Sequence, residues 1–287
     1  MTIRNPIEWS VDQLRLAATA VETTGRAWVG TDEALHAPLP EVRRIGAGDL
    51  RDALAKGLAD FAAYRTDVVF LCLIYPALGL ILASLASGYG MVPLLFPIAS
   101  GFALVGPFAG IGLYELSRRR ERTAEAGWPD AFSVVRAPAF GKILVLGLTL
   151  VVVFLLWLGA AEAIYAMTLG PEPPASFAQF VHDVFGTSAG WALIAIGVSV
   201  GFLFAVLVLV IATVSFPLLL DRDTALGVAM LTSVRAVAAN PGTMALWGFI
   251  VAMGLVLGSI PLFLGLVVVM PVLGHATWHL YRKLLPR

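Results

Sequence analysis

His275 and His279 stand four residues apart near the end of the chain, which on a helix places two imidazoles on one face, about 6 Å apart. That spacing would let them share a metal ion or offer a haem ligand, the alternative cofactor reading. Two ligands alone make a weak site, and the remaining histidines, His36 and His182, fall in segments on opposite sides of the hydrophobic runs. No cofactor and no metal are therefore expected. His279 adjoins Arg282 and Lys283, with Trp278 and Tyr281 beside it, the composition of an interfacial belt, so anchoring is the leading reading. Glu115 precedes Ser117-Arg118-Arg119-Arg120-Glu121-Arg122 and reads as a solvated or interfacial ion pair. Asp221, followed by Arg222, marks a similar polar boundary. Glu162 differs, because it lies within an apolar run with Tyr165 one turn on, and an intramembrane carboxylate is costly enough to stand as a functional-site hypothesis.

Two catalytic patterns fail on context. Gly186-Thr187-Ser188-Ala189-Gly190 matches G-x-S-x-G, but a nucleophile elbow needs a strand before it, and here the helical pattern SFAQFVHDVF leads in. Gly141-Lys142 lacks the upstream glycine and the following Ser/Thr of a phosphate-binding loop. No catalytic residues emerge, and the expectation is a protein that is not an enzyme.

The elements that must carry these residues follow from composition. Of 287 residues 59% are hydrophobic and 13% charged, against about 25% charged in soluble domains. Mean hydropathy is +0.87, and the apolar residues collect into runs too long for a soluble core. This composition predicts an all-α polytopic membrane protein. Formal net charge is zero, with 19 basic and 19 acidic residues, so nothing draws the chain to nucleic acid. One cysteine, Cys72, provides neither a disulfide framework nor a metal site.

Residues 1–48 are polar and mixed, and predict a cytoplasmic amphipathic helix followed by a linker; no signal-peptide pattern is present. Residues 49–287 hold the transmembrane domain. Its expected spans are 68–86, 91–114, 143–168, 191–217, 241–258 and 261–281, each near the roughly 20 residues that cross a 30 Å hydrocarbon core. A single helix over 241–281 would run about 60 Å. Gly258-Ser259-Ile260-Pro261 supplies a break, with glycine as C-cap, serine as N-cap and proline early in the next helix. With six spans, all 19 Lys and Arg fall in segments 1–67, 115–142, 221–240 and 281–287, and the opposite connections hold none. This is an extreme positive-inside pattern, predicting both termini in the cytoplasm of an inner-membrane protein.

An internal repeat accompanies the spans. Pro107, Gly110, Tyr114, Leu116, Arg118 and Arg119 recur at equal offsets as Pro271, Gly274, Trp278, Leu280, Arg282 and Lys283, with a shortened form at Phe216-Pro217 and Asp221-Arg222. An amphipathic segment with an early acid precedes each pair of spans: DLRDALAKGLADFAAY, PDAFSVVRAPAF and DTALGVAMLTSVRAVAAN. Three hairpin repeats, each led by an interfacial helix, are the expected architecture. Pro107, Pro217 and Pro271 each remove an intrahelical hydrogen bond and are expected helix breaks. Gly106/Gly110, Gly197/Gly201 and Gly254/Gly258 form G-x-x-x-G pairs suited to close packing within the bundle or to self-association.

From about Pro6 onward the chain resembles the bacterial family of predicted integral membrane proteins known as domain of unknown function 2189. The resemblance rests on EVRRI with DLRDALAKGLADF, on YPALG, VGPFAGIGLYE, SFPLLLDRD, TSVRAV and PVLGHATWHLYRK. It implies a multi-pass inner-membrane protein without an assigned activity. The leading functional expectation is a non-catalytic scaffold or accessory and assembly component, with the lipid bilayer and another membrane complex as partners. The alternatives are a small-solute or ion transporter, and a haem or metal protein using His275 and His279.

Overall fold

A computed structural model describes residues 39–72, 84, 92–123, 127–261 and 263–286. The expected N-terminal amphipathic helix lies outside the described residues, as does most of the expected first span, 68–86. The described elements are α1 (Ala47–Cys72), α2 (Leu95–Ala109), α3 (Ile111–Thr123), α4 (Trp128–Ala131), α5 (Phe140–Thr168), α6 (Phe177–Gly186), α7 (Ser188–Ala212), α8 (Ser215–Asp221), α9 (Leu226–Ala239), α10 (Pro241–Ser259) and α11 (Leu266–Leu284), with 3-10 turns at Val92–Leu94 and Phe132–Arg136. There is no strand among the described residues.

Four stretches are long and apolar enough to cross a membrane: Val92–Thr123, Phe140–Thr168, Ser188–Asp221 and Pro241–Ser259. They overlap the second to fifth expected spans. The break between the last two expected spans begins where the sequence suggests but is longer than expected. α10 runs through Gly258 and Ser259, Pro261 lies in the connecting turn, and α11 starts only at Leu266. Closeness of the two helices explains this, since a Cβ on Gly265 would sit 2.8 Å from Gly258 Cα. The turn is tight enough that Phe263 takes a left-handed φ of 65°, rare for a residue with a Cβ.

The prolines also behave differently from one another. Pro107 lies inside α2, and the helix is interrupted three residues later at Gly110. Pro217 sits in the first turn of α8, after an interruption at Thr213 and Val214. Pro271 lies inside a continuous α11 and breaks nothing. It removes the one hydrogen bond that an N–H at this position would have given the Val267 carbonyl, and the helix runs on to Leu284.

The three segments expected as interfacial helices are equally unlike. The first has no glycine or proline between Leu58 and Cys72, so it continues into the span as one 26-residue helix. The second carries Pro129 and Pro138, and only short turns form. The third is a separate helix, α9. Two of them open by one device: the Gly46 N–H donates to Asp49 at 3.0 Å and the Gly127 N–H to Asp130 at 2.9 Å, satisfying a free helix-terminal donor. Asp223 instead pairs with Lys142 at 2.8 Å.

Packing has two centres. α1 lies along α11 through Leu50, Ala53, Gly57 and Asp60, buried residues at spacings of 3, 4 and 3. Gly57 permits the approach, because a Cβ there would stand 2.7 Å from Ala276 N and 2.8 Å from Val272 O. α5 lies between α2 and α7. There Trp157 donates its Nε1–H to the Pro97 carbonyl at 3.0 Å and packs on Phe204, ring centroids 5.7 Å apart. A Cβ on Gly201 would meet Trp157 at 3.0 Å, while Gly197 faces open space, so one member of that G-x-x-x-G pair packs and the other does not. Gly106 likewise has only Met270 within ordinary contact.

Candidate functional site

The chemically capable side chains converge at one end of the helices, where α1, α3, α8 and α11 meet. α3 turns toward this end after Gly110 and carries Glu115, Ser117 and four arginines. α11 brings His275, Trp278, His279, Tyr281, Arg282 and Lys283. α1 contributes Asp49, Asp52, Lys56 and Asp60, and α8 ends on Asp221.

Asp60 is the hub. One carboxylate oxygen accepts from Arg120 Nη1 at 2.7 Å. The other accepts from the Ser117 hydroxyl at 2.6 Å and faces His279 Nε2 at 2.8 Å. Burial pushes this carboxyl up, but the hydrogen bonds from His279 and Ser117 outweigh it and hold Asp60 below the usual carboxylate value. The ionised carboxylate fixes the proton order. Ser117 has one hydrogen, given to Asp60, so its oxygen can only accept from His275, whose Nδ1 lies 2.8 Å away. His275 is thus the Nδ1–H tautomer, and its buried Nε2 has no hydrogen-bond partner. This order is the reverse of a serine nucleophile, whose hydroxyl must give its proton to histidine.

Three further carboxylates are saturated in the same manner. Glu115 is 1% exposed and accepts from Arg118 at 2.6 and 3.0 Å and from Arg119 at 2.8 Å. The expected solvated or interfacial ion pair forms with its acid buried and its arginines 20% and 38% exposed, where α11, α4 and α8 pack on α3. Arg119 reaches on to Asp130 at 2.7 Å. Asp221 accepts from Arg122 at 3.1 Å, Tyr281 at 3.0 Å and Arg282 at 3.2 Å. Glu121 accepts from Arg282 at 2.9 Å and Trp278 at 3.2 Å. Lys283 pairs with Asp52 at 2.8 Å. A cleft of about 430 Å³ opens beside this network, walled by Asp60, Ser117, Arg120 and His279 among others.

His275 and His279, expected as interfacial anchors, are instead inside the network; His275 is 0% exposed. Each commits one ring nitrogen there, and among the described residues no group of three His, Cys, Asp or Glu is arranged to hold a metal. Glu162 stays apart, exposed on α5 and about 30 Å along that helix from Lys142. Ser188 of the G-x-S-x-G pattern opens α7, and Thr187 caps it by accepting from Gly190 N–H at 2.9 Å. Asp60, Ser117 and Glu121 were not singled out from the sequence. Asp60 had one signal, a carboxylate in register with the apolar stripe Leu50, Ala53 and Gly57.

Long apolar helices closed at one end by a buried ionic network define an all-helical integral membrane protein. Residues 95–221 match the model of a family described as predicted integral membrane protein (DUF2189). The matched stretch runs from α2 to α8, taking in Glu115, Ser117 and Asp221 but not Asp60, His275 or His279. No curated protein and no solved structure matches the chain.

Proposed function

We propose that the chain is a six-span protein of the bacterial inner membrane, with both termini in the cytoplasm, acting as a non-catalytic scaffold or accessory component of another membrane complex. The observation that carries this reading is the saturated network. Apart from His275 Nε2, which stays unpaired, its acids and bases spend their hydrogen-bonding capacity chiefly on one another and lock α1, α3, α8 and α11 together, which suits a fixed platform better than a turnover site. The ion pairs also join segments 49–60, 115–130, 221–223 and 282–283, in keeping with one cytoplasmic side for all the basic residues. Affinity purification of the tagged chain in mild detergent tests the role. A reproducible membrane-protein companion is expected, and recovery of the chain alone at every expression level would overturn it.

A second reading, a small-solute or ion transporter, draws on the interrupted helices at Gly110 and at Thr213–Val214, since transporters build sites at broken helices. Proteoliposome flux that is lost in Glu162→Gln would favour it.

A further inference from the structure

We infer that α6 lies flat in the bilayer leaflet at the α5–α7 connection, with Phe177, Val181 and Phe185 inserted among the lipids. This rests on the membrane-spanning reading above. At about 100° per residue, α6 divides into three sectors. Phe180 and Val184 turn toward the protein: Phe180 packs on Tyr165, ring centroids 6.3 Å apart, and Val184 is buried. Gln179, His182 and Asp183 form a polar sector, closed by a Gln179–Asp183 hydrogen bond of 2.8 Å. Phe177, Val181 and Phe185 form the third, at spacings of four, and are 61%, 37% and 61% exposed. Their sector lies beside the protein-facing one and roughly opposite the polar one, as it must in a helix resting against spans with one side toward lipid and one toward water.

Continuity identifies the occupant. The chain on either side is of the same character: Met167 near the end of α5 and Trp191 at the start of α7 are also exposed, and α6 connects two helices long and apolar enough to span; tryptophan favours the membrane interface. α6 is held rigidly in place. A Cβ on Gly190 would collide with the carbonyls of Asp183 and Val184, and Thr187 both donates to Asp183 O at 2.6 Å and caps α7. The helix is capped by Ser176, which accepts from Gln179 N–H at 3.1 Å.

Spin labelling of the full chain in phosphatidylethanolamine/phosphatidylglycerol vesicles tests this. In a Cys72→Ser background, single cysteines replace Phe177, Val181 and Phe185, then Gln179 and Asp183, and Phe202 of α7 as a mid-span control. Collision with oxygen, which concentrates in lipid, is compared with collision with a water-soluble nickel complex. The expected oxygen-to-nickel ratio is several-fold higher at 177, 181 and 185 than at 179 and 183. A high nickel signal at all five α6 positions, with Phe202→Cys still lipid-exposed, overturns the inference and leaves the spanning reading standing. Shielding of 177, 181 and 185 from both reagents also overturns it, in favour of a protein neighbour. A water-exposed label at 202 would instead defeat the spanning reading itself.

Discussion

Where α1, α3, α8 and α11 meet, Asp60, Glu115, Glu121 and Asp221 each take two or more donors; at the opposite end α5, α6 and α7 meet through Trp157, Tyr165 and Phe180, and Glu162 stays exposed. The contrast follows from the solvent on each side. Within hydrocarbon, burying one apolar side chain against another gains little over leaving it in lipid, so α7 and α10 can keep Phe202, Leu203, Phe249 and Leu257 exposed. At the polar end, directional hydrogen bonds specify which helix adjoins which. Position is set at one end, and the rest of each helix follows.

Breaking the hub tests the contrast most severely. Asp60→Ala takes the acceptor from Ser117, His279 and the partly exposed Arg120 at once, a loss of about 3 kcal/mol over three hydrogen bonds, measurable as a fall in thermal unfolding midpoint in detergent. Gly57→Ala pushes α1 off α11 and is expected to cost about 1–3 kcal/mol by overpacking, read by the same assay. Asn240→Ala comes next. Its side chain accepts from Ile45 N–H at 2.8 Å and donates to Arg43 O at 3.1 Å, and stranding those groups costs about 1–3 kcal/mol, visible as faster proteolysis ahead of α1.

Acid sharpens the contrast. Asp60 is held below its ordinary value of 3.8, so its contribution is present above that value and lost as pH falls through the lower folded one. The unfolding midpoint is therefore expected to hold from neutral pH to about 4 and drop below it, and Asp60→Asn flattens the drop. Smallest of all, Glu162→Gln and Gly197→Ala at the other end should stay within about 0.5 kcal/mol of the parent. A large loss from either would contradict the two-ended description.

Much of this was legible in sequence and some was not, for physical reasons. Long apolar runs carry their own signal, and four of the expected spans coincide with helices of crossing length. The i, i+4 spacing of His275 and His279 was visible. Their burial was not, because it depends on α1 docking along α11, a contact between segments more than 200 residues apart that no local periodicity encodes. Proline positions were equally plain. Where the helices break depended on the neighbours that re-satisfy the backbone, as Ser233 does by accepting from Val214 N–H at 3.2 Å.

The hub also sets an order of assembly. His279 lies 219 residues beyond Asp60, and synthesis at about 5–20 residues per second puts roughly 10–45 s between them. Ser117 and Arg120 emerge much earlier, 57 and 60 residues after Asp60, so the carboxylate is first sheltered within the early part of the chain. Only when α11 arrives does α1 gain its long partner. A chain truncated before α11 would keep most of its apolar helices and the Arg120–Asp60 and Arg122–Asp221 pairs but lose every bond that His279, Tyr281 and Arg282 add.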